Sequence, residues 1–325
     1  MTLSVFVSLW LSLTSVSQAG EIWFVPEPGA ENVELFSQPN EWPMARAKTK
    51  RFSLHGCSLD DVPMTHKICK NNGLQRIAAS GALSKLQDWG IELDIGVGSV
   101  KPEIHCDAKL YAQAHSDYIG RVKRMGGKIK SFTMDWPRGS GKLDCKQTVT
   151  ETAGHVANYV RTVRQTYSRI YPGEQVEIGL WEGYPTFEPT ELIGWLDAMI
   201  RTGFKPDYLV VDIDRDHHKR LKRSDAQMRT VLKTLQNACT ARGIRFGVAL
   251  WSNKMQTVQT YRNDVISWMN LVKSGVGTPD IIQLISWEYW VQFQNEGRVR
   301  PYNTPERDAF SHTGLLLYGA QVFGL

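Results

Sequence analysis

Eight short runs rich in β-branched and aromatic residues recur along this chain, and the stretches between them carry helical periodicity. The runs are Ile22–Val25, Arg51–His55, Ile91–Val97, Ile129–Asp135, Val176–Glu182, Tyr208–Asp214, Ile244–Trp251 and Ile281–Trp287. Most successive runs start roughly 30 to 45 residues apart, the size of one βα unit. Leu83, Leu86 and Trp89 mark one helical face, and Val156, Tyr159, Val160 and Val163 another. Leu192, Leu196 and Met199 repeat the pattern, followed by Met228, Val231, Leu232 and Leu235. Gly90, Gly127, Gly173 and Gly243 each precede a strand, where a helix closes on a C′ glycine. Thr304-Pro305-Glu306 signals a final helix with Pro at its first position.

Strands alternating with helices predict a parallel sheet, and eight such units close into a single (β/α)8 TIM barrel of the α/β class. An open doubly wound sheet is the rival. It is disfavoured because no G-x-G-x-x-G follows any strand, and Gly96-Val97-Gly98 lacks the rest of that fingerprint. No repeat or low-complexity linker divides the chain, so residues 20–325 read as one barrel domain.

Residues 1–19 read as a secretory signal peptide: Leu3 to Thr14 are largely apolar, and Ser17-Gln18-Ala19 is a small-x-small cleavage pattern. No later segment has the run of about 20 apolar residues that a membrane span needs. The expected location is therefore secreted or periplasmic, with no membrane association after cleavage. Export permits disulfides. Of the five cysteines, Cys57, Cys69, Cys106 and Cys145 fall in loops, and Cys239 falls in a helical pattern as a buried thiol. The expected pairings are Cys57–Cys69 and Cys106–Cys145, although spacing alone admits other connectivities.

In a barrel of this kind, reactive groups come from the carboxyl ends of several strands. Period-two alternation assigns them to faces. In the fourth run Ser131, Thr133 and Asp135 share one face and the bulky Phe132, Met134 and Trp136 the other, which leaves Asp135 pointing into the mouth. In the fifth run Ile178, Leu180 and Glu182 align, and Glu182 is expected to open on the same mouth. Tyr208, Val210, Asp212 and Asp214 align in the sixth, Glu288 follows the eighth, and Ser53 aligns with His55 in the second. One terminal carboxylate is commonly a helix cap. Several around one opening suit chemistry in which crowding keeps one carboxyl protonated while another stays ionised.

Eleven Trp are an unusual number for this length, and several flank the acids: Trp136, Trp181, Trp251, Trp287 and Trp290. Flat aromatic faces beside paired carboxylates suit a sugar ring. Trp136 and Trp181 are expected to fill the layer between sheet and helices, and Trp251 and Trp287 to face the mouth. The net charge of +5 is mild, and its densest part is the run 217–223 after the sixth strand. That run reads either as a solvated loop entering a helix or as a surface for an anionic sugar polymer. A nucleic-acid partner is not expected, since no interleaved basic and aromatic groove is legible.

Phe132-Thr133-Met134-Asp135-Trp136-Pro137 and Leu180-Trp181-Glu182-Gly183-Tyr184-Pro185, together with the strand order, resemble the superfamily of TIM-barrel glycoside hydrolases. Asp135 resembles the nucleophile position of α-galactosidase-like and dextranase-like barrels, and Glu182 the acid/base of the latter. The Asn-Glu pair of cellulase-like barrels and the spaced acid run of chitinase-like barrels are absent. The resemblance implies cleavage of glycosidic bonds in a poly- or oligosaccharide, with no cofactor. Asp135 would be nucleophile or stabilising carboxylate, Glu182 the acid/base and Asp212 the alternative acid. His55, Asp214, Trp251, Trp287 and Glu288 would hold substrate. Two alternatives stay open. One is a divalent-metal-dependent sugar isomerase or phosphodiesterase using Glu182, Asp212, Asp214, Glu288 and a histidine such as His217 or His218. The other is a carbohydrate-binding barrel without catalysis.

Overall fold

The computed structural model describes residues 20–26, 30–55, 73–101, 106–254, 256–285 and 302–325. Eight parallel strands close into a barrel in sequence order. They are β1 (Glu21–Val25), β2 (Thr49–His55), β3 (Glu92–Val97), β4 (Ile129–Asp135), β5 (Glu177–Tyr184), β6 (Tyr208–Ile213), β7 (Arg245–Leu250) and β8 (Ile281–Ile285). Each coincides with one of the eight runs to within two residues, and β1 pairs with β8 to complete the ring. The single (β/α)8 barrel is therefore observed. The expected leader 1–19, Cys57, Cys69, Trp287 and Glu288 lie outside the described residues, as does the His55 side chain.

Described helices are α1 (Ala30–Ser37), α2 (Pro43–Lys48), α3 (Gly73–Ala79), α4 (Ala82–Asp88), α5 (Ala108–Arg124), α6 (Pro137–Gly139), α7 (Val149–Ile170), α8 (Pro189–Arg201), α9 (Arg215–Arg220), α10 (Asp225–Thr240), α11 (Val258–Val276) and α12 (His312–Phe323). Thr148 with Glu151, and Ser224 with Gln227, form capping boxes that start α7 and α10. The final helix begins at Ser311 as cap, not at Pro305. The Glu306 carboxylate instead accepts the N–H groups of Met44 (3.1 Å) and Ala45 (2.7 Å). Gly126 rather than Gly127 takes the left-handed conformation before β4.

The sheet separates two cores. Outward residues such as Phe132, Met134, Ile178, Leu180, Leu209 and Val211 pack under the helices. Inside the barrel lie Trp23, Val25, Trp181, Tyr208, Val210, Ala249, Ile281 and Ile285. Trp181 thus fills the barrel interior, not the sheet–helix layer expected for it. The cause is steric: a Cβ on Gly179 would lie 2.0 Å from the Tyr208 ring, so the glycine face of β5 must turn toward that ring.

Polar groups share this interior. Asp94 accepts from Ser131 Oγ at 2.5 Å and Thr133 Oγ1 at 2.9 Å. Burial raises its pKa, with Ser131 and Arg51 opposing the rise. At the amino-terminal end of the barrel, Arg51 pairs with Glu92 (2.9 Å) and Glu177 (2.7 Å), while Arg245 bridges Glu177 and Glu21. The Arg51 guanidinium also lies 4.4 Å over the Trp23 ring.

Cys106 and Cys145 form a disulfide, tying the loop after β3 to the segment after β4. Cys239 is a free, buried thiol in α10.

Arg51 is only 2% exposed, so its loss strands acidic partners in a confined space. Arg51→Met should lower unfolding free energy by about 3 kcal/mol. Lys50→Met, which removes a more exposed partner of Glu92, should be nearly silent. Urea denaturation of both variants checks the contrast.

Candidate active site

Strand tilt sets which residues meet at the mouth. Asp135 pairs with Trp181, and Trp181 with Val210. Asp212 lies two residues beyond Val210, the advance of one residue per strand that a barrel of shear 8 imposes. Asp135 and Asp212 therefore occupy one layer, contributed by alternate strands. Ile285 of β8 and the backbone of His55 in β2 occupy its other two positions by the same stepping. The two aspartates are separated by β5, and the Asp135 charge lies near enough to raise the Asp212 pKa.

Asp135 ion-pairs with Lys101 Nζ at 3.1 Å. Lys101 lies in the loop after β3, where its carbonyl accepts the Cys106 N–H at 3.0 Å. The disulfide thus anchors the segment that supplies this cation. Asp212 accepts the Trp251 indole N–H at 2.6 Å, and Trp251 packs against the inner core as expected for a mouth residue. Burial pushes the Asp212 carboxyl up to about 7, opposed by Trp251 and reinforced by Asp135 and Asp214.

Asp214 stands at the rim as the cap of α9. Its Oδ1 accepts the His217 N–H (2.8 Å) and Asn253 Nδ2 (3.2 Å), and its other oxygen faces Arg220 at 3.5 Å. Behind it Asp264 joins Arg215, Ser252 and Lys254, which fastens the loop after β7 to α11.

Glu182 departs from the sequence expectation. It sits at the height of the two aspartates on the strand between them, but alternation turns it to the other side of the sheet. It is fully buried, and its Oε1 accepts the Arg138 N–H at 2.9 Å. Burial drives its pKa to about 8, opposed by the Arg138 N–H and the Trp195 indole, and raised further by Asp135. Glu182 does not face the mouth beside Asp135.

The basic run is largely absorbed by the fold. His218 is buried between the Tyr184 hydroxyl and the Ser224 carbonyl, and Arg223 pairs with Glu188. Lys219 and Lys222 form no ion pair among the described residues. No group of three or more His, Cys, Asp or Glu among the described residues could hold a metal ion. Lys101, Asn253 and Arg138 were not singled out by the sequence. Each is a lone polar residue in a loop or turn, with no spacing to mark it.

In fold, the chain is a (β/α)8 TIM barrel. No protein-family model and no curated protein matches it. Among solved structures it is similar to a glucosidase from Croceicoccus marinus, with TM-score 0.58 and 12% identity over 94% of this chain and 67% of that one. It is also similar to a fungal β-1,4-galactanase, with TM-score 0.57 and 12% identity over 92% of this chain and 99% of that one. GH26C from a Muricauda species gives TM-score 0.54 and 9% identity over 94% of this chain and 86% of that one. At these identities the likeness is one of fold.

The raised Asp212 pKa links stability to pH. The unfolded carboxyl ionises near 4, so between about pH 4 and 7 the folded state holds a proton that the unfolded state has released. This group's contribution is complete below that window and is lost as pH rises through it. Asp212→Asn should therefore gain stability relative to wild type between about pH 4 and 7, by on the order of 2 kcal/mol after allowance for water in the mouth. Thermal unfolding of both proteins across that range tests the sign.

Proposed function

We propose that this protein hydrolyses glycosidic bonds of a poly- or oligosaccharide, with Asp135 and Asp212 as the working carboxyl pair. The observation that carries the reading is their placement in one layer of the barrel mouth, one beside a lysine and the other kept protonatable near neutrality. Asp212 would protonate the leaving glycosidic oxygen. Asp135, its carboxylate ion-paired with Lys101, would attack or stabilise the developing positive charge at the anomeric carbon. Trp251 would orient Asp212 through its indole N–H and offer a ring edge to the sugar. Asp214 and Asn253 at the rim would bind hydroxyls. Trp287, Glu288 and His55 remain proposed substrate contacts.

Glu182 is left out of this pair because its side chain is buried behind the sheet on the Arg138 N–H. The disulfide favours an oxidising compartment. With the apolar leader, it supports export of the residue 20–325 barrel. No helix among the described residues is long and apolar enough to cross a membrane. Lys219 and Lys222 leave room for an anionic sugar, whose binding would weaken with salt.

Asp135→Asn and Asp212→Asn should each lower kcat on a cleavable glycan by about 10²–10⁴-fold without loss of fold. With Asp212 as the acid, wild-type kcat/KM should fall as pH rises above about 7, the carboxyl losing its proton. Turnover like the wild type in both variants would sink the assignment. Activity abolished by exhaustive chelation would redirect it to metal chemistry. Proton NMR of the first-formed anomer reads the geometry: retention requires carboxyls about 5–5.5 Å apart and inversion about 6.5–9.5 Å.

A further inference from the structure

Glu182 takes no part in that chemistry, yet the protein keeps a carboxyl with no solvent exposure directly behind its candidate site. Such a group is costly to hold and calls for an explanation. Facing it are the Arg138 N–H and guanidinium from the turn after β4, the Trp195 indole from α8, and the Asp135 carboxylate at the same height of the barrel.

The turn after β4 is unusual. Trp136, next to Asp135 in the chain, has φ 51 and ψ 43, a left-handed conformation that a bulky side chain rarely adopts. Such a residue persists only where its surroundings over-determine it. Three restraints do so here. The Trp136 N–H donates to the Trp181 carbonyl at 2.8 Å. Gly139 lies flat against the Trp136 indole, where a Cβ would sit 2.1 Å from the ring. Glu182 Oε1 takes the Arg138 N–H at 2.9 Å. Two of these restraints come from consecutive residues of β5, Trp181 and Glu182, the first through its backbone and the second through its side chain.

We propose that Glu182 is a positioning residue: from behind the sheet it holds the Trp136–Arg138 turn through the Arg138 N–H, and so fixes the direction in which Asp135 presents its carboxylate to the mouth. The role rests on the Asp135–Asp212 reading. It requires an acceptor at Oε1, not a charge, and the raised pKa agrees with a neutral carboxyl doing this at neutral pH. Losing the acceptor frees the turn and re-aims Asp135. A displacement of about 1 Å at a reacting group can cost 10²-fold in rate.

Glu182→Gln keeps an acceptor oxygen, and Glu182→Met removes it at similar volume. Glu182→Gln should keep kcat within about threefold of wild type, while Glu182→Met lowers kcat by about 10- to 100-fold with KM within about twofold. Wild-type kcat in Glu182→Met, or equal losses in both variants, overturns the proposal. A second readout needs no turnover. With Asp carboxyls labelled with ¹³C and the Asp135 signal assigned by its loss in Asp135→Asn, that signal should move in Glu182→Met and stay in Glu182→Gln. If it is unmoved in both, the proposal fails whatever the kinetics. If it moves as expected but the wild type cleaves no glycan, the positioning stands and only the hydrolase reading falls.

Discussion

A closed eight-stranded barrel admits only every second side chain of each strand to its interior, and strand tilt sorts those into layers drawn from alternate strands. That constraint governs this molecule. It brings Asp135 of β4 and Asp212 of β6 to one height, two strands apart, and turns Glu182 of the intervening β5 to the opposite side of the sheet. Three acids at one level of the barrel thus acquire different surroundings. One is ion-paired in the mouth, one is hydrogen-bonded to an indole, and one is sealed among helices. Burial raises the pKa of both Asp212 and Glu182, opposed by the Trp251 indole for the first and the Arg138 N–H for the second.

The same interior is polar along its length, and its two ends are compensated differently. At the floor, Arg51 and Arg245 alternate with Glu92, Glu177 and Glu21. Midway, Asp94 is satisfied by hydroxyls. At the mouth, Lys101 pairs with Asp135, but among the described residues no cation pairs with Asp212. Charge at the floor is spent on structure. At the mouth one carboxyl is left to exchange a proton near neutral pH, an arrangement that stability alone does not require and that acid–base chemistry uses.

Much of this was legible in the sequence. The eight strands were visible because each is short, apolar and separated from the next by a helical repeat, so local periodicity carried the architecture. Asp135 was legible because Phe132 and Met134 leave no doubt about which face of β4 lies under the helices. Cys106 and Cys145 were legible as loop cysteines, and the structure joins them. Lys101 was not, because it reaches Asp135 from a neighbouring loop and no spacing links the two. The basic run 217–223 was visible as charge, but its sequence does not show that His218 is buried or that Arg220 and Arg223 meet Asp214 and Glu188.

The misreading of β5 identifies what a strand read in isolation lacks. Ile178, Leu180 and Glu182 on one face, against Gly179, Trp181 and Gly183 on the other, give two defensible assignments, and bulk favours neither. The choice is made on β6. The Tyr208 ring occupies the interior where it bonds Thr133 and the Phe132 carbonyl, and only a glycine can stand opposite it. Gly179 therefore faces in, Trp181 follows it by alternation, and Glu182 must face out. The orientation of an acid at the candidate site is thus decided by an aromatic ring on the next strand, beside Gly179 and nearer the barrel floor. In a closed sheet, parity belongs to pairs of strands, and acids at strand ends acquire their roles from neighbours that a local pattern does not contain.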